Sequence, residues 1–186
     1  MIRKLLATSV LAAALATVAA SPAGAEERVC RGSLGAITVD NLRVPQGATC
    51  TLHRTRVEGT IKVERGAILR ATAVRVIGNV QGENAAAVNV SQGSRIGGSF
   101  QVVQGGRARL LDSRLNGDVL VDEDRRAIRI QRNIVGGNIQ AFQNTGGVHI
   151  ARNWVDGNLQ CKENRPAPTG GGNVVQGNKE DQCARL

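Results

Sequence analysis

One short phrase, written three times at a fixed interval, constrains this chain more than any other feature. Leu115-Asn116-Gly117-Asp118-Val119 is followed by Val135-Gly136-Gly137-Asn138-Ile139-Gln140 and by Val155-Asp156-Gly157-Asn158-Leu159-Gln160, so the anchor glycines 117, 137 and 157 stand 20 residues apart. A period of this length marks a stacked repeat architecture, in which each unit buries its apolar face only against its neighbours. Extended outward, the anchor reads Asp40, Gly59, Gly78, Gly98, Gly117, Gly137, Gly157 and Gly177, at steps of 19 or 20 residues.

The residues around the anchor determine what each repeat can be. Two positions after it stand Leu42, Ile61, Val80, Phe100, Val119, Ile139 and Leu159; four after it stand Val44, Val63, Gly82, Val102, Val121, Ala141 and Cys161. The position between is polar in Arg43, Lys62, Gln81, Gln101, Gln140 and Gln160, with Leu120 the exception. This alternation describes a strand with one buried face. A second alternating pair recurs in Val88/Val90, Ala108/Leu110, Ile128/Ile130 and Val148/Ile150, so each repeat carries two or three short strands separated by bends.

Equivalent strands of successive repeats can pair in parallel about 4.8 Å apart. The chain is therefore expected to be all-β: a single-stranded parallel β-helix, or solenoid, of seven to eight coils with 19–20 residues each. Right-handed winding is expected from the general handedness of parallel crossovers. An apolar period of two, with many β-branched residues, makes a helical solenoid a poor alternative. The anchor glycine is expected to permit a positive-φ bend or a close backbone approach. The polar residue after it (Asn79, Asp118, Asn138, Asn158, Asn178) is expected to bond local backbone. A second column, Asn133, Asn153 and Asn173, is expected to stack at a corner with mutual amide bonding.

The ends differ from the middle. Residues 1–25 read as a secretory signal peptide: Arg3 and Lys4, an apolar run from Leu5 to Ala20, and a small-residue Ala23-Gly24-Ala25 site. Secretion to the extracellular side, without membrane insertion after cleavage, is the resulting expectation. Residues 26–39 are assigned to an N-terminal cap, 40–161 to the repeats, and 162–186 to a final coil with a C-terminal cap. Lys179 and Asp181 replace core residues there, and 165–172 is expected to replace a strand with a loop. Four cysteines in an exported chain allow three pairings. Separations of 20 and 22 residues, about one repeat each, favour Cys30–Cys50 and Cys161–Cys183, each stapling a terminal coil to its neighbour. No C-x-x-C occurs and His53 and His149 are isolated, so no metal or cofactor is expected.

Repeats such as Val57-Glu58-Gly59-Thr60-Ile61-Lys62-Val63 and Val135-Gly136-Gly137-Asn138-Ile139-Gln140 resemble those of bactofilins, bacterial polymer-forming β-helix proteins, over about residues 40–160. With its signal peptide and cysteines, the chain also resembles small secreted bacterial β-helix proteins. The bactofilin resemblance implies end-to-end self-assembly as an alternative role.

Function is read from side-chain columns. Three before the anchor stand Arg56, Arg75, Arg95 and Arg114, then Ile134 and Trp154. Stacked arginines repel unless screened or neutralised. A linear anionic polymer of the cell wall or extracellular matrix would neutralise them; acids in adjacent columns, such as Glu58, are the alternative. Trp154 and Phe142 could stack on sugar rings. Removing Arg3 and Lys4 lowers the formal net charge from +9 to +7, still basic. Export and only three aromatics (Phe100, Phe142, Trp154) disfavour nucleic acid as the partner. The cluster Asp118, Asp122, Glu123 and Asp124 beside Arg125 and Arg126 resembles the carboxylate groupings of β-helix polysaccharide-cleaving enzymes. Coils this short leave little chain to shape a cleft, so a non-enzymatic structural or binding protein is the preferred expectation.

Overall fold

The computed structural model describes residues 26–186; the signal-peptide assignment therefore lies outside the described residues. Among them the chain is all strand and turn, with no helix. Three parallel sheets of nine, eight and eight strands run along one axis. Each coil contributes one strand to each sheet, as in Ile61–Val63, Ile68–Thr72 and Arg75–Val76. Eight such coils and one further strand, Lys179–Asp181, form the β-solenoid.

Register follows the sequence columns. On the first sheet Ile61, Val80, Phe100, Val119, Ile139 and Leu159 stack directly, as do Val63, Gly82, Val102, Val121, Ala141 and Cys161. All of these apolar side chains are essentially buried. Val88, Ala108, Ile128 and Val148 form the matching column on the second sheet. The core is thus a continuous rod filled from three sides.

The anchor glycines act by close approach. Each donates its N–H to the previous anchor carbonyl, from Gly78 to Gly59 at 2.9 Å through Gly177 to Gly157 at 3.1 Å. A Cβ on Gly78 would lie 2.7 Å from the Gly59 oxygen, so the column excludes any side chain. Positive φ is found elsewhere, on non-glycine residues at the two other corners, such as Arg132 (φ 55°), Arg152 (φ 56°) and Gln143 (φ 51°). Such a conformation costs on the order of 1–2 kcal/mol per residue. The buried amide next in the chain (Asn133, Asn153 or Asn144) offsets that cost with its hydrogen bonds.

At one corner Asn133, Asn153 and Asn173 point inward. The Asn153 Oδ1 accepts the Asn133 N–H and Nδ2–H, both at 3.0 Å, and its Nδ2 donates to the Ile130 carbonyl at 3.0 Å. At the next, the buried Asp124, Asn144 and Asn164, continued by the exposed Gln182, form a second ladder. The residues after the anchor form the third. Contrary to the local bonding expected of them, their oxygens accept N–H groups one coil away: Asn158 N–H to Asn138 Oδ1 at 2.8 Å, Asn138 N–H to Asp118 Oδ1 at 2.7 Å. Each corner thereby satisfies backbone groups that no sheet reaches.

The ends need two corrections. Residues 26–39 are themselves a coil: Glu27–Val29, Gly32–Leu34 and Thr38–Val39 pair in parallel with the coil above. The segment expected to replace a strand with a loop does so only in part, because Thr169–Gly171 still pairs with the strand Val148–Ala151. Backbone pairing there needs no buried side chain, and Gly170 and Gly171 bring none. Both favoured disulfides are present, with Cα atoms 5.6 and 5.2 Å apart. They join the first coil to the second and the eighth to the terminal segment. Each closes a loop of about 20 residues and contributes about 3 kcal/mol through the unfolded state.

Val119 stacks between Phe100 and Ile139 with no exposed surface. Val119→Asp places a charge there without a partner, at a cost of several kcal/mol. The expected result is loss of the cooperative unfolding transition in circular dichroism at neutral pH. A folded variant of unchanged stability would place this residue outside the core.

Candidate functional site

Strand pairing on the third sheet places Arg56 beside Arg75, Arg75 beside Arg95, and Arg95 beside Arg114. The four arginines expected to align do align. Ile134, Trp154 and Val174 continue the same row. The row is thus cationic over its first half and apolar over its second. Each strand here is only two residues long, as in Arg95–Ile96, with the second residue buried and the arginine turned to solvent.

The acid-pairing alternative holds at one end of the row. The Arg56 Nε lies 3.1 Å from Glu58 Oε1. In later coils the Glu58 position is taken by Ile77, Gly97 and Asn116, and among the described residues Arg75, Arg95 and Arg114 have no carboxylate within 4.0 Å. Val76, Ile96 and the small Gly97 leave a shallow groove of about 550 Å³ along these three arginines. Its geometry suits oxyanions presented in a line, which guanidinium forks can grip in pairs.

Trp154 is 47% exposed, and its indole Nε1–H donates to Asp156 Oδ1 at 3.0 Å. Phe142 is half-buried and lies between Asp122 and Lys162 on a different sheet. The two aromatics considered together in sequence therefore do not share a face.

The carboxylate cluster divides among environments. Asp118 belongs to the third corner ladder, Glu123 accepts an amide hydrogen of Gln104 at 3.0 Å at the exposed rim, and Asp124 is fully buried. Burial, then the neighbouring Glu123, raises the Asp122 carboxyl above its ordinary range. Among the described residues no group of three His, Cys, Asp or Glu is arranged to hold a metal ion.

The fold also brings together a second basic row. Arg109, Arg129, His149 and Thr169 stand in register on the second sheet. A signal for it exists in the sequence, since Arg109, Arg129 and His149 lie between the same apolar pairs that mark the strand. It is weaker than that of the first row, because only two of the four positions are arginine. No family model, curated protein or solved structure matches this chain.

Asp124 differs chemically from its ladder neighbours. Its Oδ1 accepts the Gly105 N–H at 2.8 Å, but its Oδ2 has no partner among the described residues. At the equivalent place the Nδ2 groups of Asn144 and Asn164 donate to the carbonyls of Val121 and Ala141, and Val102 is the preceding residue in that column. Protonation would give Oδ2 the donor character that Nδ2 has in those two neighbours. Burial in the core accordingly raises this carboxyl from 3.8 to about 7, against the lowering effect of the Gly105 bond. The folded chain thus keeps a proton that the unfolded chain releases at the ordinary carboxylate value. The contribution of this carboxyl to stability is greatest below about pH 4, falls as pH rises toward about 7, and is level above it. Asp124→Asn is expected to abolish this decline and to exceed the wild type at pH 8 by up to about 4 kcal/mol. Denaturant titrations across pH 4–8 measure the difference; parallel profiles would mean that the carboxyl is ionised in the fold.

Proposed function

We propose that this chain is a secreted, non-enzymatic β-solenoid that binds an anionic cell-envelope or extracellular polymer along its third sheet. The disulfides indicate an oxidising compartment, consistent with export. The observation that carries the reading is the arginine row. Three adjacent guanidinium groups at one strand spacing, with no acid within 4.0 Å among the described residues, concentrate positive charge that a linear polyanion would neutralise. Trp154, two coils beyond Arg114 in the same row, offers an exposed ring to a sugar of the same polymer. Affinity is expected to be salt-sensitive, because the contacts are exposed charges.

The double variant Arg75→Ala with Arg95→Ala is expected to weaken retention on purified cell-wall material at low salt by roughly tenfold or more, equivalent to about 1.4 kcal/mol. Its melting temperature should match the wild type, since both side chains are exposed. Unchanged retention would remove this reading.

One observation favours a second reading, self-assembly of coils end to end. Among the described residues the outer edge of Glu27–Val29 has no strand on it, and Val29 and Ile37 on that first coil are 43% and 45% exposed. An open edge with apolar side chains invites further pairing. Sedimentation velocity on the oxidised mature chain separates the two readings. Large particles insensitive to salt would favour assembly, and a monomer at both low and high salt would exclude it.

A further inference from the structure

The second sheet carries a trough that is independent of the arginine row on the third. Arg107 and Arg109 lie two apart on the strand Arg107–Leu111, so both side chains leave the same side. Arg129 stands beside Arg109 on the next coil, and His149 beside Arg129 on the one after. The His149 Nδ1 is 3.3 Å from the Thr169 hydroxyl, which extends the polar wall by one more coil. This wall has guanidinium donors at two successive strand positions, followed by two polar groups that bond each other, with the Thr169 hydroxyl also donating to the Val148 carbonyl at 3.4 Å.

The floor beside it is made of small residues. Where the first coil of the trough has Arg107, the next two have Ala127 and Gly147, each one residue before the paired Ile128 and Val148. Their lack of bulk leaves about 480 Å³ of space between the donor wall and the opposite rim. Pro166 and Ala167, from the loop before the strand Thr169–Gly171, stand at the far end and close it. Arg107 bounds the near end. A chain running along the whole axis would meet that loop, whereas the third-sheet groove has no such stop among its lining residues.

Charge in the trough is of one sign. No aspartate or glutamate lines it, and the arginine–carboxylate pairs among the described residues involve Arg43, Arg56 and Arg132 instead. Three unneutralised guanidinium groups converge on one short space with two further polar groups at its edge. A tetrahedral oxyanion with several acceptor oxygens satisfies such a set, because each guanidinium can bond two of its oxygens. The volume falls in the range of small-molecule pockets, enough for an oxyanion together with a compact organic group.

We propose that this trough is a binding site for a phosphomonoester, with Arg109 and Arg129 holding the phosphate, Arg107 closing the charge around it, and His149 and Thr169 contacting the attached organic group. The site takes a chain end or a free small molecule, in contrast to the continuous polymer assigned to the third sheet. It does not depend on that assignment.

The test is an NMR titration of the oxidised mature chain, tracking backbone amides and arginine Nε–H signals, with inorganic phosphate and with glucose 6-phosphate as separate probes. Saturable shifts centred on Arg109, Arg129 and His149 are expected with at least one probe. Arg109→Gln with Arg129→Gln should weaken that binding about tenfold or more, while Arg75→Ala with Arg95→Ala leaves it intact. Tighter binding of the sugar phosphate would assign the organic group to the trough. Equal binding would mean that phosphate alone is recognised, which overturns the part given to His149 and Thr169. Shifts that do not saturate, or that are spread equally over the arginines of both faces, would overturn the proposal. The glutamine variants are surface substitutions, and their unfolding transitions verify that lost binding is not lost fold.

Discussion

Every feature of this protein depends on backbone hydrogen bonds between residues one coil apart. The anchor glycines make the constraint visible, because each N–H reaches the anchor carbonyl of the preceding coil at about 3 Å. Such an approach leaves no room for a Cβ at Gly78, and the same holds along the column. Since side chains alternate in direction, a slip of one residue would turn the valines and isoleucines outward and the arginines and glutamines inward. The repeat length is therefore a condition of burial and not merely a habit of the sequence.

Coils of 19 or 20 residues must also turn three corners, and corners cannot use sheet pairing. Polar ladders perform that task at all three. Two of them, carried by Asn133–Asn153–Asn173 and by Asp124–Asn144–Asn164, accept N–H groups from the preceding coil, whereas Asp118–Asn138–Asn158 accepts them from the coil after. Left-handed backbone at Arg132, Arg152, Gln143 and their equivalents aims the next side chain inward. Local strain and a buried amide network thus occur as a unit. Asp124 keeps the geometry of that unit with a carboxyl in place of an amide, which couples one proton to the fold.

The same stacking converts sequence columns into surfaces. A residue type repeated at one coil position becomes a row with strand spacing, which is how arginines spread over 59 residues of chain, from Arg56 to Arg114, come to lie side by side. Two cationic rows result on different faces. One is open along its length, and the other is bounded by the loop that carries Pro166. Short coils without large insertions give rows and troughs in place of deep clefts, and rows are suited to repetitive or terminal anionic groups.

Coil length, the apolar columns, the arginine alignment and the cysteine pairing were all legible in the order of residues. Each is a consequence of period, so Gly59 to Gly157 and Val63 to Cys161 could be placed in space once the step was known. The bonding of the polar groups was not legible in that way. Whether an asparagine bonds its own turn or the next coil depends on which backbone group comes within reach, and packing across 20 residues settles that. For the same reason it took the folded chain to show that Arg56 is paired while Arg95 is not, that Asp124 is buried while Glu123 is exposed, and that Pro166 closes the trough beside Arg129. Periodicity dictates neighbours along the axis, but contacts around the axis depend on how each corner bends.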